Sequence, residues 1–245
     1  MFHTYQAIYQ TVTMTSTKPL NVLVFSKTAG YRHDSILAGT TALKRLTEKK
    51  GFTITTSEDA ESTFTTSSLS AFAVIILLHT SGNFLDASQL DALRAYVRSG
   101  GGILAVHGAA AGMPSDDWYG KLIGAHFDMH PDPEPGSLFV SDASHSIIAE
   151  QEPPKKWMDE WYNFTSQPSQ NGNLHVLLRG DTASFKGGKH GDDHPLAWCQ
   201  EFEGGRSVYV ALGHFDEAYA DGWYMGLVER AILWAARREN ELRNK

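Results

Sequence analysis

Apolar positions in the first half of the chain come in blocks, and each block ends where a strand or a helix should end. Residues 20–25 (LNVLVF) form a near-continuous apolar run that stops at the polar, glycine-containing stretch 26–32, the pattern of a parallel strand buried on both faces. A helix follows: Asp34 or Ser35 can cap it, Ile36, Leu37, Leu43 and Leu46 recur at helical spacing, and Gly51 ends it. The unit then repeats. Residues 52–56 read as a short strand and 72–78 as a fully apolar one. Residues 87–98 read as a helix entered at Asp86 and closed by Gly100-Gly101-Gly102, and 103–106 as a buried strand ending at His107. Short apolar strands alternating with helices predict an α/β fold: an open, mostly parallel, doubly wound sheet with helices on both faces.

After Trp118 the texture changes to a β-rich second half. Residues 137–140, 157–164, 174–179, 194–202 and 206–212 read as strands, with Glu203-Gly204-Gly205 as a hairpin turn. Residues 223–238 form the last helix, with Leu227, Ala231, Trp234 and Ala235 on one face and a basic final turn that complements the helix dipole. No repeat or low-complexity linker divides residues 19–240, which read as one domain. Residues 1–18 are polar and rich in Thr, Gln and Tyr, and read as a flexible extension within which Met14 could serve as a start.

Composition narrows the function. Across 245 residues, 21 Lys and Arg face 28 Asp and Glu, a formal net charge of -7, so nothing favours neutralising a nucleic-acid backbone. No apolar stretch approaches the roughly 20 residues that a membrane-spanning helix needs, and the start lacks a secretory or mitochondrial signal pattern. The expected location is the cytoplasm. A single cysteine, Cys199, can form neither an internal disulfide nor a Cys-based zinc site, and its apolar strand context predicts an inert thiol.

In an open parallel sheet, ligands bind beyond the carboxyl ends of the strands. Three such places carry histidine: His33 after the first strand, His79 after the third, and His107 after the glycine-led strand. The second half adds His130, His145, His194 and His214 with the carboxylates Asp159 and Glu160. Neutral imidazoles with a carboxylate suit a divalent metal, and equally suit metal-free acid-base chemistry near neutral pH. His126 and His130 are four apart, but the nearby glycine and prolines argue against the helix that would bring them together. The run 186–193 (KGGKHGDD) could cradle an anion, but a flexible surface loop is the expectation. Tyr31, Trp118, Tyr119, Trp161, Tyr162, Trp198 and Tyr219 flank these polar stretches and could serve as core or as sugar platforms. Neither a GxGxxG nor a GxxxxGKS fingerprint is present, so no nucleotide cofactor is expected, and the strand-to-turn sequence Ala105-Val106-His107-Gly108-Ala109 is no GxSxG elbow.

Six ordered motifs carry a resemblance. They are residues 28–36 (TAGYRHDSI), 100–107, Leu122-Ile123-Gly124-Ala125 through His130-Pro131, 159–164 (DEWYNF), 193–198 (DHPLAW), and Gly205-Arg206 through Gly213-His214. Over residues 20–234 the chain resembles the ThuA-like family, named for trehalose utilisation, whose fold is similar to flavodoxin and the class I glutamine amidotransferases. It departs at Ser146, where the family more often has proline after the histidine aligned with His145. The amidotransferases place a cysteine nucleophile where this chain has His107, so the resemblance implies that it is not a glutaminase.

What the resemblance implies is a carbohydrate-processing protein acting on a small glycoside, either trehalose-like or a 3-keto-disaccharide. The chemistry would be that of a hydrolase or lyase. Its expected catalytic residues are Glu160, His107 and Arg32, the last steadying an oxyanion, and its expected substrate contacts are Tyr31, Asp159, Tyr162 and Trp198. A subset of His33, His107, His130, His194 and His214 would hold one divalent ion, zinc or manganese. The alternative is a non-catalytic sugar-binding or regulatory protein on the same shell. The expected partner is a small sugar, with no nucleic acid or membrane, and a homo-oligomer is left open.

Overall fold

The computed structural model describes residues 19–149 and 151–242; the extension assigned to residues 1–18 lies outside them. The first half is built as the apolar blocks dictate: β1 (Leu20–Phe25), α1 (Ile36–Lys50), β2 (Phe52–Ser57), the short α2 (Ala60–Thr63) and α3 (Thr66–Leu69), β3 (Val74–Leu78), α4 (Ala87–Arg98) and β4 (Gly102–Val106). Every residue of β3 and β4 is buried, which is why these strands carry no polar alternation. The rest comprises α5 (Asp117–Ile123), β5 (Phe127–Met129), β6 (Glu134–Gly136), β7 (Leu138–Val140), β8 (Trp157–Asp159), β9 (Asn163–Phe164), β10 (His175–Gly180), β11 (His194–Phe202), β12 (Gly205–Val210) and α6 (Gly222–Ala235).

One eight-stranded sheet runs through both halves in the order β2-β1-β3-β4-β12-β11-β10-β7. Strands β2, β1, β3, β4 and β12 pair in parallel, and β11, β10 and β7 continue antiparallel from β12. The chain steps from β1 outward to β2 and then back past β1 to β3. Because such crossovers are right-handed, this reversal puts α1 and α4 on opposite faces and opens a crevice at the β1/β3 boundary. Close backbone approach seals the crevice floor. The amides of Ala29 and Gly30 donate to the Ser81 carbonyl at 2.8 and 3.2 Å, and a Cβ on Gly82 would lie 2.6 Å from the Gly30 nitrogen. Gly82 has φ 63°, so only a glycine fits there without strain.

Two expectations change. The strand assigned to 157–164 is two strands: β8 pairs with β6 and β9 with β5, and Glu160-Trp161-Tyr162 makes the turn between them. Trp161 anchors that turn, fully buried, with its ring stacked on Phe185 at 4.3 Å and its Nε1 donating to the Glu134 carbonyl. The helix α5 falls at the start of the half that reads as β-rich; the Asp116 side chain caps it by accepting from the Tyr119 amide, and Gly124 at φ 104° ends it. The 186–193 run is tied to the β5/β9 pair. Asn163 bonds both Gly187 O and Lys189 N, and Lys189 Nζ is spent on Asp128 at 2.7 Å.

Candidate functional site

Four neighbouring parallel strands each deliver a histidine at the carboxyl edge. His33 lies in the loop after β1, His79 directly follows β3, His107 directly follows β4, and His214 follows β12. His79 and His107 both adopt left-handed backbone, at φ 54° and 47°, a conformation that costs a non-glycine residue energy and recurs at functional sites. Glu160 comes from the turn between β8 and β9. The donor atoms of His33, His107, Glu160 and His214 all lie within 4.8 Å of one another, the one such convergence of metal-ligating side chains among the described residues.

Glu160 is the hub. Its Oε2 is 3.2 Å from His107 Nε2 and 3.1 Å from His214 Nδ1, and its Oε1 is 3.3 Å from His130 Nε2. Burial alone would raise its carboxyl pKa, but hydrogen bonds from His107 and His214 and their charges outweigh burial and hold it well below the usual range. His214 moves oppositely, raised because its contact with Glu160 overcomes burial. His33 is pushed down to about 3 by burial and by the nearby His107 and His214, and its buried Nδ1 has no hydrogen-bond partner. His107 Nδ1 bonds the Ala211 carbonyl, which can only accept, so Nδ1 carries the proton. The other nitrogen, His107 Nε2, is the one that faces Glu160.

Asp159 holds this arrangement without entering it. Fully buried, its Oδ2 accepts from Trp157 Nε1 at 2.8 Å and the Gly213 amide at 2.8 Å, and its Oδ1 accepts from the amides of Glu160 at 3.0 Å and His214 at 3.2 Å. One carboxylate thus ties the β8–β9 turn to the end of β12. Gly108 serves likewise: a Cβ there would sit 2.9 Å from His33 Cε1.

A cavity of about 450 Å³ opens over the cluster, lined by Tyr31, His33, Phe127, His130, Glu160 and Tyr162 with the backbone of Gly30, Gly82 and Ala111. Tyr162 lies under His107 and His130, with ring centroids 4.1 and 5.8 Å away, and Tyr31 at the rim is 68% exposed.

Of the residues singled out in the sequence, the structure brings His33, His107, His214, Glu160, His130, Tyr31 and Tyr162 together. Others lie elsewhere. Arg32 turns away to pair with Glu58 at 2.8 Å. Trp198 is core, bonded through Nε1 to the Ile123 carbonyl and packed on Phe164 and Tyr209. His194 is buried between Phe185 and His190, and His145 packs against Cys199 and His175. Asp159 faces four protein donors, leaving its place as a support for the site. His79, prominent in the sequence only by its place after a strand, sits 4.6 Å from His33 and 5.3 Å from His107 between ring centroids.

The family profile described as ThuA, trehalose utilisation, matches residues 21–235. The chain belongs to the ThuA family. Solved structures agree in fold: a protein described as ThuA-like from Bacteroides uniformis is 25% identical, covers 95% of each chain, and superposes with a TM-score of 0.74. A second described as ThuA-like, from Parabacteroides merdae, is 17% identical over 89% of this chain and 90% of its own, with a TM-score of 0.71. A cytoplasmic protein from Salmonella typhimurium shares the fold at 14% identity, covering 88% of this chain and 99% of its own, with a TM-score of 0.61. No curated protein matches the sequence closely enough to count as a relative. Among the described residues, no helix of this ThuA family member is long and apolar enough to cross a membrane.

Proposed function

We propose that this ThuA family member is a cytoplasmic enzyme that processes a small glycoside, trehalose-like or a 3-keto-disaccharide, with one divalent metal held by His33, His107, His214 and Glu160. The observation that carries this reading is the convergence of those four donors under an aromatic-walled cavity. The donor set fits the ion. Three imidazoles and one carboxylate suit zinc, manganese or ferrous iron, His33 Nδ1 is a buried atom without a partner, and His107 is fixed from behind by the Ala211 carbonyl, as metal-bound histidines commonly are. A bound divalent ion would act as a Lewis acid toward a sugar carbonyl or hydroxyl.

The chain's own residues do the rest. Tyr31, Phe127 and Tyr162 offer apolar ring faces to a sugar. His130, in contact with Glu160 at 3.3 Å and lining the same cavity, is placed to hand a proton to or from a sugar oxygen. Arg32, committed to Glu58, has no part in this mechanism. The test is turnover of trehalose and of 3-keto-trehalose by protein supplied with zinc or manganese, with products identified by mass spectrometry. Glu160→Ala should lose turnover and zinc binding together, because the residue is one of the proposed ligands, whereas His130→Ala should lower turnover while zinc stays bound. Sugar binding without turnover by the wild type would leave the non-catalytic sugar-binding alternative in its place.

A further inference from the structure

A second cavity, of about 500 Å³, is lined from β8 and from the segment that leads from β12 into α6, and it shares no lining residue with the cavity over the histidines. Two of its residues reach the groups around the cluster. Trp157 donates its indole N–H to Asp159 at 2.8 Å, and the Phe215 ring meets the His214 ring edge-on with centroids 4.5 Å apart. Trp157 is also held from behind, edge-on to Trp223 at 5.6 Å and stacked with Tyr224 at 5.7 Å, so this wall is formed before any ligand arrives. Met158, outward on β8 between the buried Trp157 and Asp159, is 48% exposed.

The polar groups of this cavity narrow what fits it. They are Lys156, Glu217 and Asp221; Glu217 and Lys156 are exposed, and Asp221 spends Oδ1 on the Tyr224 amide at 2.9 Å. Ionised carboxylates only accept hydrogen bonds and an ammonium only donates. An anion would face two carboxylates, and a cation would face an ammonium. A ligand that satisfies all three is uncharged, carries O–H donors together with acceptor oxygens, and has an apolar face for Trp157, Met158 and Phe215. A pyranose ring has hydroxyls around its edge and C–H bonds on its faces.

We propose that this second cavity is a saccharide subsite, which takes one pyranose ring against Met158 and Phe215 with its hydroxyls on Glu217, Asp221 and Lys156. The choice of a sugar rests on the function proposed above. The ring belongs either to the far half of a disaccharide held in the first cavity or to a second saccharide.

The test is a proton–carbon correlation spectrum of the protein with carbon-13 in the methyl groups of its six methionines, the Met158 signal being assigned by its loss in Met158→Ala. Met158 reports this cavity, and no methionine lines the other. Titration with trehalose should displace the Met158 signal along a saturating curve, and Glu217→Ala, a change at an exposed position, should weaken that binding about tenfold or more. Tyr31→Ala, in the wall of the first cavity, separates the two sources. A Met158 curve weakened there as well assigns the ring to one disaccharide spanning both cavities, and an unchanged curve assigns it to a second saccharide; both uphold the subsite. A signal that stays still, that drifts without saturating up to about 100 mM trehalose, far above the usual KM range of about 1 μM–1 mM, or that saturates equally in Glu217→Ala overturns the proposal. The two readings fail separately. Turnover with a still Met158 signal leaves the enzyme without this subsite, and a saturating Met158 shift without turnover leaves a sugar-binding protein that has it.

Discussion

Replacing Asp159 by asparagine changes one buried atom and should disturb two catalytic groups at once. Asp159 accepts four hydrogen bonds from Trp157, Gly213, Glu160 and His214, and no acceptor faces it. Asparagine keeps the shape but turns one oxygen into an NH2, so one pair of donors, either Trp157 Nε1 with Gly213 N or Glu160 N with His214 N, meets another donor. Hydrogen bonds to a charged group contribute about 1.5–3 kcal/mol each, and a buried donor left without a partner costs about 1–3 kcal/mol. Losing two such bonds should destabilise the protein by about 3–6 kcal/mol. For a chain of this size that is a fall in Tm of roughly 6–24 °C. Calorimetry on metal-free protein measures this. Because the same carboxylate places Glu160 and His214, zinc affinity should fall by roughly 10–100-fold, as it does when the supports of metal ligands are removed. A Tm shift under about 2 °C together with unchanged zinc affinity would refute the assignment of Asp159 as the tie between the β8–β9 turn and β12.

Three further outcomes follow from the same geometry. Gly108→Ala puts a methyl 2.9 Å from His33 Cε1 and should weaken zinc binding about tenfold or more in a competition titration, while near-normal affinity would show that His33 yields without consequence. His194, buried with both nitrogens unpartnered and its pKa pushed down to about 4 by burial and by His190, binds its proton in the unfolded chain first. Its contribution is therefore present above about pH 6.5 and lost as pH falls toward 4, at about 1.4 kcal/mol per pH unit, so urea unfolding of His194→Leu should be less acid-sensitive than wild type by that slope. Burial pushes the Cys199 thiol up to about 12, so it should resist a disulfide reagent until urea unfolds the chain; rapid labelling of native protein would contradict its placement in the core.

The sheet was readable because its strands are buried on both faces. LNVLVF, VIILL and GILAV leave no other use for themselves, and the histidines following them fall at the carboxyl edge by topology alone. The turn at Glu160 was not readable. Residues 157–164 alternate and cluster as one strand would, and only the separate pairings with β6 and β5, with Trp161 locked on Phe185, break it. Adjacency in sequence also did not signal the surroundings of two residues. His194 and Trp198 both lie on β11, which is buried along its first seven residues, so a polar or aromatic side chain there has the core as its surroundings. For Arg32 the partner is Glu58, 26 residues on, and no local pattern signals that the side chain turns from the cavity. His79 carried a faint signal, its position after a strand; Tyr219, which bonds its Nε2, comes from far along the chain.

The central claim is most directly tested by the metal content of tag-free protein purified without chelator, measured by mass spectrometry for wild type, His107→Ala and His214→Ala, with folding confirmed for all three by circular dichroism. The account predicts close to one divalent ion per wild-type chain and its loss in both variants. A wild-type protein that takes up no ion, even after incubation with zinc or manganese, would contradict it.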